Sequence, residues 1–341
     1  MRVEILAIGS ILLFIVLLTV LVEVPGENIM STLENFGKAP ELAGISGWIN
    51  TEPFTLAEHR GKVVLVDFWT YSCINCIRTL PYLTSWDEKY SDKGLVIIGV
   101  HTPEFEFEKD RDNVVQAVNK FGVKYAVVQD NDYETWRAYN NRYWPRKYII
   151  DAEGNIRYDH IGEGAYEETE RVIIELLREA NADVDESNVT KDPESRDFTK
   201  VGTPELYLGY KFVRAPFGNA EGIVPEQTID YAPTEIAQEN LIYLEGKWTN
   251  KEDYVVSVEN AKMILRYQAK NVNVVMSGAG TATILLDDNP IAGNGGMDVI
   301  DGTVTIDEAR LYNIVSTQDY GKHKVTIIAD AGVEIYAYTF G

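Results

Sequence analysis

Apolar positions along the chain fall into three textures. Ile5 to Val22 is a nearly continuous apolar run, interrupted only by Gly9, Ser10 and Thr19. At 1.5 Å per residue its 18 positions span roughly 27 Å as a helix, about one bilayer hydrocarbon core. From about Ala39 to Ala180, short apolar runs alternate with helical stripes, the pattern of an α/β layer fold. Lys62–Trp69 and Gly94–Val100 are solidly apolar, as strands covered on both faces should be. Between them Ile77, Leu80, Leu83 and Trp86 mark one face of a helix over Cys76–Tyr90, with Pro81 inside it as an expected kink. Asn113–Phe121 and Tyr166–Ala180 read as further helices. Lys147–Asp151 and Asn155–Asp159 flank a turn at Ala152-Glu153-Gly154 and read as a hairpin.

The texture changes after Asn181. Residues 181–201 are polar and charged without periodicity, the character of a linker. Beyond them come seven or eight short apolar or alternating stretches, among them Tyr254–Val258, Met263–Tyr267, Val272–Met276, Leu311–Val315 and Glu334–Thr339. Gly, Asn, Asp and Pro clusters separate these stretches, and no helical stripe intervenes, which indicates an all-β sandwich. The expected boundaries are 1–30 for an N-terminal anchor, 31–182 for the α/β domain, 183–202 for the linker and 203–341 for the β-sandwich.

Arg2 precedes the apolar run, and Glu23 and Glu27 follow it, so the charge bias places the N-terminus in the cytoplasm and the rest outside. A cleaved signal peptide is the rival reading, but Val22-Glu23-Val24-Pro25 lacks a small-x-small site. The expectation is a membrane-anchored protein, held by residues 5–22, with an extracytoplasmic catalytic domain at the cell surface or in the periplasm. With 53 acidic against 31 basic residues the net charge is −22. Such a surface repels nucleic acid, which is excluded as a partner.

The chain has two cysteines, Cys73-Ile74-Asn75-Cys76, at the point where a buried strand feeds a helix. The first sulfur therefore falls at a helix N-terminus, where unpaired N–H groups and the macrodipole favour thiolate, the form that attacks disulfides. Zinc would need four ligands, and the four histidines (His59, His101, His160, His323) are scattered, so no metal site is expected. A structural disulfide at this spacing closes too small a loop to stabilise much. A redox-active dithiol is the remaining reading, and it requires no cofactor. Outside the cytoplasm such a dithiol meets protein disulfides.

Asp67-Phe68-Trp69, Cys73-x-x-Cys76, Pro81 and Trp144-Pro145 together resemble the spacing of the thioredoxin family. Trp69–Cys76, His101–Lys109, Asn140–Pro145, Thr203–Gly209 and Val333–Gly341 resemble more closely the extracytoplasmic part of DipZ-type thiol-disulfide proteins. The resemblance implies a thioredoxin-like α/β domain followed by a jelly-roll similar to carbohydrate-binding modules. It implies Cys73 as nucleophile, Cys76 as resolving thiol, Asp67 as the buried acid exchanging protons with Cys76, and a cis Pro145 presenting backbone to the substrate. Trp69, Tyr71 and Trp144 would wall the site. His101 would shuttle protons or be a solvated loop residue, and Glu104, Glu106 and Glu108 would form a wet charged face. DipZ-type proteins usually carry a CcdA-like membrane domain, so a separate membrane electron donor of that kind is an expected partner. A rival reading is a cell-surface or glycan-binding adhesion protein, with Tyr243, Trp248, Tyr267 and Tyr336 as a sugar platform and the redox domain secondary.

Overall fold

The computed structural model describes residues 33–191, 198–212, 217–233, 235 and 238–341. The run expected to anchor the chain, Ile5–Val22, lies outside them. Among the described residues no helix is long and apolar enough to cross a membrane.

The first half is built on β1 (Gly47–Ile49), β2 (Val63–Trp69), α1 (Ile74–Tyr90), β3 (Leu95–His101) and α2 (Arg111–Lys120). It continues with β4 (Ala126–Gln129), α3 (Glu134–Ala138), β5 (Arg146–Ile150), β6 (Ile156–Ile161) and α4 (Tyr166–Glu179). The sheet order is β1-β4-β3-β2-β5-β6. β2, β3 and β4 run parallel, while β1, β5 and β6 are antiparallel to their neighbours.

Every residue of β2 is buried because layers cover both faces. Val63, Leu65 and Trp69 point to one side, where Leu80, Leu83 and Trp86 of α1 and Val172, Ile173 and Leu176 of α4 pack. Val64, Val66 and Phe68 point to the other, against Trp136 of α3 and Tyr139. Side-chain alternation along a strand puts Asp67 with Leu65 and Trp69, on the α1 side. Gly99, opposite Asp67 on β3, is required by crowding: a Cβ there would stand 2.9 Å from Trp69 Nε1. Helix α1 runs from Ile74 to Tyr90 with Pro81 inside it.

The second half holds β7 (Leu206–Tyr207), β8 (Thr228–Tyr231), β9 (Ile242–Asn250), β10 (Val255–Ser257), β11 (Ala261–Ser277) and β12 (Gly280–Leu286). It ends with β13 (Asn289–Pro290), β14 (Thr303–Ile306), β15 (Arg310–Ala329) and β16 (Glu334–Phe340). The stretches 263–267 and 272–276, separate in the sequence reading, are one long strand. Register shifts near Ala269–Asn273 bend it without ending it. Leu311–Val315 and Lys324–Ile328 join in the same way in β15. β11 pairs with β9 along Lys262–Leu265 and with β16 along Val272–Ser277, so its two ends serve different neighbours. Trp248, Tyr267, Tyr243 and Tyr336 are all buried, so these rings form no exposed sugar platform.

The halves meet through aromatic packing. Phe105 and Phe107, in the turn after β3, lie against Tyr336, with ring centroids 5.2 and 4.8 Å away. Tyr207 Oη donates to Glu104 Oε1 at 2.5 Å, and the Glu106 N–H donates to Asp253 Oδ2 at 3.1 Å.

Candidate active site

Cys73 is the N-cap of α1, and its half-buried sulfur accepts the Cys76 N–H at 3.3 Å. That bond strengthens when the acceptor carries charge. Cys76 is one turn into the helix and fully buried. Both cysteines are free thiols. Burial pushes the Cys76 thiol well above its ordinary value, and the neighbouring Cys73 and Asp67 push it the same way. One sulfur is reachable and the other is hidden behind it.

Asp67 lies on the strand beneath α1, fully buried, with Oδ1 lacking a hydrogen-bond partner. Burial pushes its carboxyl up to about 7, with Lys147 pulling in the opposite direction. A carboxyl with that midpoint beside a buried thiol suits proton exchange near neutrality.

Lys147 was not singled out from the sequence. It faces Asp67 across the β2–β5 ladder, is fully buried, and donates from Nζ to the Gly162 carbonyl at 3.2 Å. Burial lowers its ammonium; Asp67 and Cys76, acting as nearby negative charge, raise it. The sequence signal was a basic residue within the apolar run Tyr148-Ile149-Ile150 and two positions after Pro145. A strand on the interior of the sheet has no solvent to offer it.

The Trp144–Pro145 peptide is cis, and Pro145 is buried at the start of β5. Trp144 is half-buried, gives its indole N–H to the Thr102 carbonyl at 3.1 Å, and packs 4.3 Å from the Trp136 ring. Trp69 does not wall the site. It is fully buried in the α1-side core and presents no surface to a substrate. Tyr71 is buried too, stacked 5.6 Å from the His101 ring.

His101 is not a solvated loop residue. It ends β3 fully buried, and burial lowers its imidazole to about 3. Glu108 departs from the wet-face expectation in the same manner. Fully buried, it accepts from Ser72 Oγ at 2.6 Å and from the N–H groups of Ser72, Glu104 and Phe105 at 3.3, 2.5 and 3.0 Å. It thereby ties the residue before Cys73 to the turn that meets the β-domain. Among the described residues no group of three or more His, Cys, Asp or Glu is arranged for a metal ion.

Comparison with known proteins fits this geometry. Residues 38–173 match the Redoxin family model, and residues 203–341 match the model described as "Thioredoxin like C-terminal domain". Protein DipZ of Mycobacterium tuberculosis is 38% identical over 318 residues, covering 91% of this chain and 44% of that protein. The chain thus carries a thioredoxin-like Redoxin domain followed by a thioredoxin-like C-terminal domain. It is similar to proteins named as thiol-disulfide oxidoreductases: YkuV of Bacillus subtilis is 27% identical over 140 residues, 41% of this chain and 94% of YkuV. Thiol-disulfide oxidoreductase ResA of Bacillus thuringiensis is 30% identical over 115 residues, 34% of this chain and 64% of ResA. The chain spans less than half the length of the DipZ protein it matches.

Proposed function

We propose that the chain is a membrane-anchored extracytoplasmic enzyme that reduces protein disulfides through Cys73 and Cys76. The observation that carries this reading is the asymmetry of the two sulfurs: Cys73 is half-buried at a helix N-cap, and Cys76 is fully buried near Asp67. The Cys73 thiolate attacks a substrate disulfide, forming a mixed disulfide and releasing one substrate thiolate. Cys76 passes its proton to the Asp67 carboxylate and attacks the Cys73 sulfur. The second substrate thiolate leaves, and a Cys73–Cys76 disulfide remains. Two electrons have moved to the substrate. A membrane dithiol donor, of the CcdA-like kind, restores the thiols.

Pro145 and Trp144 supply the backbone and ring beside which the substrate strand lies. Ile5–Val22 serves as the anchor, and the β-domain is a jelly-roll sandwich, a reading favoured by the way β11 divides its pairing between β9 and β16. The domain limits proposed are 31–182 and 203–341, a reading supported by family matches over residues 38–173 and 203–341.

The test is a trap. With Cys76→Ser in cells, substrates accumulate as mixed disulfides on Cys73, visible as adducts that vanish with dithiothreitol. Absence of adducts, with Cys73 alkylating no faster than a buried thiol, sinks the proposal.

A further inference from the structure

A groove of about 710 Å³ runs beside the dithiol, with one wall from each half of the molecule. Its size is that of a ligand site. On the redox side it is lined by Tyr71 and Ile74, the latter between the two cysteines in sequence, and by α2. On the other side stand β11, the loop around Met297 and the start of β15. Anything seated there touches Ile74, the residue that follows Cys73 in the chain.

A buried polar atom on the β-domain wall lacks a partner. Asn273 is 2% exposed, yet its Nδ2 has no hydrogen-bond partner, while its Oδ1 accepts from Asn313 Nδ2 at 2.9 Å. On the opposite wall the buried Tyr71 hydroxyl is served by Asn113. Buried polar groups are normally satisfied, so the free Asn273 amide marks a place for a polar occupant.

The lining defines that occupant's chemistry. Carboxamides come from both walls, Gln116 and Asn119 from α2 facing Asn273 and Asn313. Each offers a donor and an acceptor, the complement of a peptide group. Ile77, Phe121 and Leu311 add apolar surface between them, and Met297, 87% exposed, overhangs the rim. Of the charges at the edge, Arg310 pairs with Asp298 at 2.9 Å and Lys120 with Glu308 at 3.5 Å, and Asp307 stands exposed beside them. The one aromatic ring on the dithiol loop, Tyr71, is buried and stacked on His101, so it offers no platform for a sugar ring.

We propose that this groove seats the extended, largely uncharged polypeptide flanking a substrate disulfide, and that the β-domain thereby reads the substrate. The proposal rests on the dithiol being the reactive centre.

The experiment uses the full chain and two readouts. The first is fluorescence anisotropy of labelled insulin B chain, carbamidomethylated so that it carries no disulfide. The second is the ratio of insulin reduction to reduction of the small disulfide DTNB. Gln116→Trp and Met297→Trp both start from exposed positions and fill the groove from opposite walls. The expected result is binding by the unmodified chain, weakened at least about tenfold by each variant, with the insulin-to-DTNB ratio falling in step. Should Gln116→Trp fail to fold, Met297→Trp alone decides. Absence of peptide binding, unchanged binding in the folded variants, or displacement of the peptide by cellohexaose overturns the groove. Peptide binding by a chain that reduces neither disulfide supports the groove and sinks the redox reading instead.

Discussion

Asp67 and Lys147 stand directly opposite each other on β2 and β5, both fully buried on the side of the sheet that carries Cys76. This opposition sets the expected pH dependence of the resolving step. Asp67 acts as base only when ionised, and its midpoint lies at about 7. Turnover of a protein disulfide should therefore rise with pH through that region. Asp67→Asn should remove the rise and slow turnover by about 10²-fold, the low end of what general-base catalysis contributes. A variant whose pH–rate profile superimposes on that of the parent would dismiss Asp67 as the base.

The same carboxyl has a consequence for stability with the opposite sign to an ordinary salt-bridged acid. Folding raises its midpoint from 3.8 to about 7, so the folded chain holds this proton more tightly than the unfolded chain. Stability from this group is complete below about pH 4 and is lost as pH climbs through 7. Asp67→Asn should thus be more stable than the parent at pH 8, by roughly 2–4 kcal/mol at most, and should gain little at pH 4. Urea unfolding at the two pH values measures the difference. The lower end is expected, because Lys147 loses its counter-charge.

Lys147→Met keeps the stem's packing and deletes the positive charge. With that charge gone, nothing offsets the desolvation of Asp67, and its midpoint must move upward. The rising limb of the pH–rate profile should shift to higher pH, with the plateau rate at high pH largely retained. A downward shift, or no shift, would show that Lys147 does not act on Asp67.

The sequence made some of this site legible and left other parts dark, for a physical reason. Cysteine spacing, Asp67 on an apolar strand and the Trp144-Pro145 pair are local signals, fixed by where a strand meets a helix. Lys147 and Glu108 carry no such signal, because a charged residue reads as solvated until the element covering it is known. Glu108 alternates with Glu104 and Glu106 like any wet face. Only the closing of the turn at Phe105 buries it beneath Ser72. The length of β11 and β15 was hidden in the same way, since bulges near residues 269–273 interrupt the apolar alternation without breaking the pairing.

Glu108 should prove to be the fastening of the dithiol loop. Glu108→Ala leaves the Ser72 hydroxyl and three backbone N–H groups facing no acceptor, which costs on the order of 3–5 kcal/mol. Glu108→Gln retains one acceptor oxygen and should lose about half as much. Thermal or urea unfolding ranks the three proteins, and equal stability of parent and alanine variant would remove Glu108 from this role.

Phe105 carries the contact between the halves, and its truncation tests whether they unfold as one. Its buried ring meets Tyr336 at 5.2 Å and Phe212 at 6.2 Å, beside the Tyr207–Glu104 hydrogen bond. Removing a ring of this size from such a contact costs about 3–5 kcal/mol. That loss falls on the interface and leaves both cores intact. Each core is a separate buried cluster, so each half keeps its own transition once the tie is weakened. Phe105→Ala should therefore convert a single urea transition into two, separated by tryptophan fluorescence with and without Trp248→Phe, since Trp248 reports the β-domain and the other tryptophans report the first half. Because the same contact holds the two walls of the groove in place, insulin reduction should fall more than DTNB reduction in this variant. One unbroken transition, or equal losses on both disulfides, would mean that the halves are held by something other than Phe105.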